Sequence, residues 1–323
     1  MTKAPIIFMF SGQGSHYYQM GAELFANQPV FKQTLVALDQ QIEELAGYSL
    51  LAKLYSSQVK KTDLFTTTRY THPAIFMVEY ALAQTLLARG IQPDYLLGAS
   101  LGSFVAATLA GALSLEQALR AVIIQAELLE RHCQPGTMVA ILADPALYQQ
   151  QSELADCSTL AAVNFDQHFV VATDLTGLPS VENYLDQQIS YQRLTVSQAF
   201  HSHWLEPAKV PYQTFLADLL DDNLPVLQTP FICCTDAKVL TQLTRNYFWQ
   251  VIRQPIRFQQ TIQYLESQGT YCYIDLGPSG TLATFVKYNL TTESASSTHA
   301  VITPYGQEQA KLDALIDSIN QPG

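Results

Sequence analysis

The stretch "YLLGASLGSFVAATLAGAL", Tyr95 to Leu113, decides the architecture. An apolar run of strand length enters it, and a run of small and apolar residues with helical character leaves it. Between them lies Gly98-Ala99-Ser100-Leu101-Gly102, a G-x-S-x-G pentapeptide. Alone, that pattern also marks ordinary turns, which use glycine and serine for backbone reasons. Between a strand and a helix it reads as a nucleophile elbow. The serine sits on a sharp turn, the two glycines let neighbouring backbone pack close, and the helix N-terminus points amides at developing negative charge. Ser100 is the expected nucleophile.

Working outward, the apolar runs "IIFMF", "YLLGA", "PFICC", "YCYID" and "HAVIT" alternate with helical segments such as Pro73 to Arg89 and Leu115 to Arg131. This rhythm predicts an α/β fold around a largely parallel sheet. Between Cys133 and Ser197 the order becomes β-α-β-β-α-β: "MVAILA", "PALYQQQSELA", "TLAAVNF", "HFVVAT", "LPSVENYLDQQ", "ISYQRLTV". That is the order of a ferredoxin-like unit. The expected division is a catalytic core of 1–132 and 198–323, with 133–197 as a small inserted subdomain.

A serine nucleophile needs a base, and seven histidines are available. His201 in "SQAFHSHW" stands where the chain leaves the insertion and rejoins the core, and His203 is its rival. An H-x-H metal pair is the other reading of these two, but no third ligand is evident. Gly12-Gln13-Gly14 follows the first strand directly. It lacks both the phosphate-loop pattern and the acidic partner of a dinucleotide site. Such a loop can aim a backbone N–H into the crevice, so Gln13 and Leu101 are the expected oxyanion donors.

Composition limits the alternatives. The chain of 323 residues is 48% hydrophobic and carries a net charge of −11, leaving no basic field for nucleic acid or an anionic membrane. Five cysteines without C-x-x-C spacing suggest neither a disulfide framework nor a zinc site, which fits a cytoplasmic protein. The opening "MTKAPIIFMFSG" is too short for a membrane span, has no cleavage pattern, and is expected to be a buried strand.

The segments "GQGSHYYQMG" (12–21), "THPAIF" (71–76), "GASLG" (98–102), "AFHSHWLEP" (199–207), "QPIRF" (254–258) and "DLGPSGTL" (275–282), in this order, resemble the malonyl-CoA:acyl carrier protein transacylase family. That family includes the acyltransferase domains of polyketide synthases. The resemblance covers nearly the whole chain and implies an α/β-hydrolase-like core, a ferredoxin-like small subdomain and a Ser100–His201 dyad. It also implies that a main-chain carbonyl, placed at Val251, orients the histidine.

The departures from the family pattern carry functional information. Extender-loading members have G-H-S-L-G-E at the elbow, where this chain has Ala99 and Ser103. Twenty-five residues after the nucleophile they place an arginine that pairs with the malonyl carboxylate, and this chain has Gln125. A carboxamide supplies neither the charge nor the fork. Arg120 and Arg131 lie on the same predicted helix but do not share the face of residue 125 cleanly. Ala99, Gln125, His72 and Phe200 are the expected acyl-pocket residues, with a structural histidine as the other reading of His72. Such a pocket suits neutral acyl groups.

Within separately encoded acyltransferases of polyketide synthases, this chain is similar to a branch with glutamine at that position and GASLG at the elbow. The branch is associated with acyl hydrolases that release stalled acyl groups from carrier proteins. The resemblance thus implies a proofreading acyl hydrolase acting on acyl carrier protein thioesters. The alternatives are an acyltransferase moving starters or intermediates between carriers, a malonyl transacylase-type loading enzyme, and a non-catalytic carrier-docking module. No metal or cofactor is expected, since the phosphopantetheine arm belongs to the carrier-protein substrate. Arg245, Arg253, Arg257 and Lys287 are candidates for a local carrier-binding patch.

Overall fold

The structure, a computed structural model, describes residues 3–186 and 189–320. Gln187 and Gln188, the end of "LPSVENYLDQQ", lie outside the described residues, as do the first two residues of the opening segment.

The apolar runs form strands. β1 (Ile6–Phe10), β2 (Tyr95–Gly98), β7 (Asn223–Cys233), β8 (Lys238–Thr244), β9 (Cys272–Asp275) and β10 (Ser297–Ala300) make one sheet in the order β10-β9-β1-β2-β7-β8. Its pairs are parallel except β7 with β8. Alternation along β1 shows why it is apolar throughout: Ile6, Phe8 and Phe10 pack into one core layer, Ile7 and Met9 into another. Both faces of the strand are covered, as in parallel sheets generally.

The second sheet contains β3 (Gly136–Ile141), β4 (Thr159–Phe165), β5 (His168–Asp174) and β6 (Tyr191–Arg193), antiparallel in the order β4-β5-β3-β6. Its own apolar core includes Val139, Ile141, Phe169 and Val171. The chain enters and leaves this sheet at one place, where the Gly136 N–H donates to the Ser197 carbonyl at 3.1 Å. The sheet is also tied to the main body beyond residue 250. The Val163 N–H donates to the Ile256 carbonyl, and the Ile256 N–H to the Ala161 carbonyl, both at 2.9 Å.

Three elements differ from the sequence expectation. The helix expected from Pro73 spans Thr68–Ala88, with Pro73 inside it. Proline removes a donor to the carbonyl four residues back, and the Tyr48 hydroxyl donates to that Arg69 carbonyl instead, at 2.6 Å. The polar helix of the insertion is two short ones, Ala146–Gln150 and Ser152–Cys157. β8 was not anticipated, because an exposed edge strand with polar residues carries little apolar signal. Among the described residues no helix is long and apolar enough to cross a membrane.

β1 and β2 are adjacent and parallel, with Phe10 opposite Gly98. Their following loops, Gly12-Gln13-Gly14 and the elbow, therefore emerge side by side at the carboxyl edge of the sheet, where open α/β sheets place ligands.

Candidate active site

Ser100 occupies the tip of the elbow in the left-handed region, φ 55°. This strained conformation is held by close packing on either side. A Cβ on Gly98 would stand 2.7 Å from the Ser103 nitrogen, and one on Gly102 would run into the Phe10 carbonyl. Ser103 is fully buried, donating to the Gly98 carbonyl at 3.1 Å and accepting from the Tyr247 hydroxyl at 3.2 Å.

His201 Nε2 lies 2.9 Å from Ser100 Oγ. Its Nδ1 donates to the Gln254 carbonyl at 2.7 Å, which leaves Nε2 free to accept the serine proton. The orienting carbonyl thus belongs to Gln254, not to Val251. Val251 lies inside the helix Tyr247–Arg253, whose carbonyls run along the helix axis. Gln254 caps that helix in extended geometry and turns its carbonyl outward, while the Ile252 carbonyl accepts from the His201 N–H at 3.0 Å. The proline at 255 marks this helix end in the sequence and was the available signal. Burial lowers the His201 pKa to about 4, with the Gln254 bond opposing and the Arg253 charge adding to the shift. The base is therefore neutral near pH 7.

His203 is not brought to the site. It is exposed, 3.2 Å from Thr159 Oγ1, with its ring on Trp204. Among the described residues no group of His, Cys, Asp or Glu could hold a metal ion.

The Gly12 loop packs against the nucleophile: a Cβ on Gly12 would stand 2.8 Å from Ser100 Cβ and 3.3 Å from its Oγ. No side chain or backbone carbonyl among the described residues accepts from the Gln13 or Leu101 N–H. The Gln13 side chain turns away, its Nε2 donating to Thr71 Oγ1 at 2.9 Å and lying 2.6 Å from His72 Nδ1.

A cavity of about 280 Å³ opens on Ser100 and His201. Ala99 and Phe200 line it, together with Met138, Val170 and Phe285. Asn164 and His168 also line it, 3.0 Å apart, and neither was anticipated because small-sheet residues carry no motif of their own. His72 and Gln125, by contrast, do not line the cavity. Both are buried in a layer behind it, and Gln13 and Phe200 touch His72 from the cavity side. The reason is packing: the Phe200 ring lies over the His72 ring, 5.6 Å between centroids. Burial lowers the His72 pKa to about 3. The Gln125 amide lies close enough to His72 and Tyr212 to bias their protonation, yet meets no partner at hydrogen-bonding geometry among the described residues.

The compensating arginines do not reach this layer. Arg120 pairs with Glu116 at 3.9 Å on the surface, and Arg131 is exposed. Of the four basic candidates, Arg245 pairs with Asp222 and Arg253 with Glu206. Arg257 and Lys287 are exposed and without an ion pair among the described residues, next to the cavity-lining Phe258 and on the same helix as Phe285.

Comparison with known proteins agrees with this geometry. The acyl transferase domain family matches residues 7–321. A polyketide biosynthesis acyltransferase homolog of Bacillus velezensis, BaeD, is 43% identical over 98% of this chain and 98% of its own length. The Bacillus subtilis homolog PksD is 39% identical over 96% and 95% respectively. Among solved structures, the acyltransferase domain from the second module of the salinomycin polyketide synthase matches with a TM-score of 0.85. It is 28% identical, covering 98% of this chain and 73% of that one. With an elbow serine, a facing histidine and a family match from end to end, this chain belongs to the acyl transferase domain family.

Proposed function

We propose that this protein is an acyl hydrolase that removes neutral acyl groups from acyl carrier proteins of a polyketide synthase. The observation that carries this reading is the cavity wall. Among the described residues no lysine or arginine lines it, and the layer behind it holds Gln125 and a neutral His72. A malonyl carboxylate would be buried there unpaired, at a cost of several kcal/mol, about a thousandfold in affinity.

In the proposed reaction His201 Nε2 takes the Ser100 proton as Oγ attacks the thioester carbonyl. The Gln13 and Leu101 N–H groups hold the oxyanion. The pantetheine thiol leaves with the proton from His201, and water, deprotonated by the same nitrogen, releases the free acid. The smaller sheet, read as a ferredoxin-like subdomain of 133–197 on an α/β-hydrolase-like core, supplies the outer cavity wall. Arg257 and Lys287 offer a local docking patch for an acidic carrier.

The second reading is an acyltransferase in which a carrier thiol replaces water, supported by family membership and by the names of BaeD and PksD. The two separate in one experiment. The protein is incubated with acetyl-, butyryl- and malonyl-loaded carrier, with and without a second free carrier, and carrier masses are followed. Free carrier and free acid from the neutral groups, lost in Ser100→Ala, establish the hydrolase. Acyl groups arriving on the second carrier refute it in favour of the transferase.

A further inference from the structure

Beneath the Gly12 loop lies a buried carboxyl that the reaction above does not use. Glu79, on the helix Thr68–Ala88, is completely inaccessible and forms no ion pair among the described residues. Its Oε1 meets the Ser11 N–H at 2.6 Å and Ser11 Oγ at 2.8 Å, while Oε2 has no partner among the described residues. Ser11 Oγ lies 3.0 Å from Ser15 Oγ, and Ser15 Oγ donates to the Gly12 carbonyl at 2.7 Å.

Four oxygens thus stand in a row: Glu79 Oε1, Ser11 Oγ, Ser15 Oγ and Gly12 O. Each of the three links needs one proton, and the carbonyl brings none. The two serine hydroxyls supply two. With Glu79 ionised, one link would set lone pair against lone pair. With Glu79 protonated, every link is filled and the row runs one way.

The far end of the row is the peptide that joins Gly12 to Gln13. In a planar trans peptide the C=O and N–H point in opposite directions. Anchoring the Gly12 carbonyl toward Ser15 therefore fixes where the Gln13 N–H points. We infer that Glu79 is a neutral carboxylic acid heading the chain Glu79→Ser11→Ser15→Gly12 O, and that it is the positioning residue for the Gln13 oxyanion donor. The inference rests on the proposed role of Gln13. Its surroundings are consistent: the other titratable group facing Glu79 is Asp275, also buried, whose oxygens accept from the Gly277 and Ala283 N–H groups. Burial and that neighbour both push the Glu79 pKa well up, against the pull of the Ser11 bonds.

Two measurements on the whole protein test this. An infrared difference spectrum between wild type and Glu79→Gln at pH 8 should show the carbonyl stretch of a protonated carboxylic acid in wild type alone. Labelling of Ser100 by a fluorophosphonate should slow about tenfold at saturation in Ser15→Ala and in Glu79→Leu, whereas Glu79→Gln, whose amide can donate to Ser11 Oγ as the neutral acid does, should lose less. Half-saturation and melting temperature should hardly move in Ser15→Ala, and the double variant of Ser15→Ala with Glu79→Leu should be no slower than the worse single one. Absence of the acid band, labelling of Ser15→Ala or Glu79→Leu at the wild-type rate, or additive losses in the double variant would each overturn the inference. Failure of wild type to label at all would instead sink the proposed nucleophile, leaving the infrared result to judge Glu79 independently.

Discussion

At the residue scale, the proposed Ser100–His201 dyad would set how the site answers to pH. His201 acts as a base only when neutral, and its pKa is lowered to about 4. Ser100 labelling should therefore stay on a plateau as pH falls through 6.5 and decline only near pH 4, as a rate profile in buffered probe would show. Gln125 makes the opposite kind of demand. In Gln125→Arg a guanidinium would enter a closed layer beside His72 and Tyr212, two groups that carry no negative charge near neutral pH. Burying it unpaired should lower the melting temperature, at about 3 kcal/mol. Because residue 125 is buried outside the cavity lining, malonyl acylation should not appear in mass spectra of the variant.

At the element scale, the strand ends supply the precision. Gly12→Ala would place a methyl 2.8 Å from Ser100 Cβ. The expected result is about a hundredfold slower acylation, the cost of displacing a reacting group by about 1 Å, with the circular dichroism spectrum unchanged. Strand, elbow and dyad were legible in the sequence because each depends on local pattern: apolar runs, two glycines around a serine, and a histidine at the return from the insertion. Other features depend on long-range packing. Val251 was the expected orienting residue, but a helix end decides which carbonyl turns outward, and that carbonyl is three residues further on, at Gln254. Glu79 was invisible inside an apolar helical run, since only the fold brings Ser11 and Ser15 to it. His72 and Gln125 stand outside the cavity lining, and for His72 the fold sets Gln13 and the Phe200 ring against it, a placement that no local pattern carries.

At the scale of the whole molecule, three buried histidines tie stability to pH. The pKa values of His16, His72 and His201 are lowered to about 4, 3 and 4, in each case first by burial. In the unfolded chain each binds a proton near 6.5, so their contribution to stability is full above that pH and drains away as pH falls from 6.5 toward 3. The buried carboxyls Glu79, Asp275 and Glu308, whose pKa values are raised, work the other way, because the fold keeps protons that the unfolded chain binds only at lower pH. The histidine share is read by difference: melting temperature should drop less across that window in His72→Gln than in wild type.

The tie between the two sheets has a kinetic consequence as well. The Ala161–Val163 stretch of β4 is hydrogen-bonded to Ile256, which stands two residues beyond the carbonyl that holds His201. Ala162 and Ile256 both line the cavity. The wall that gauges an acyl chain and the strut that aims the imidazole are therefore one piece of backbone. In the proposed reaction a chain too long for the cavity would press outward on Ala162 and tilt the base as it did so. Discrimination against oversized substrates should accordingly register as lost turnover at saturation, not as weaker capture: the enzyme would grip a misfit and stall on it.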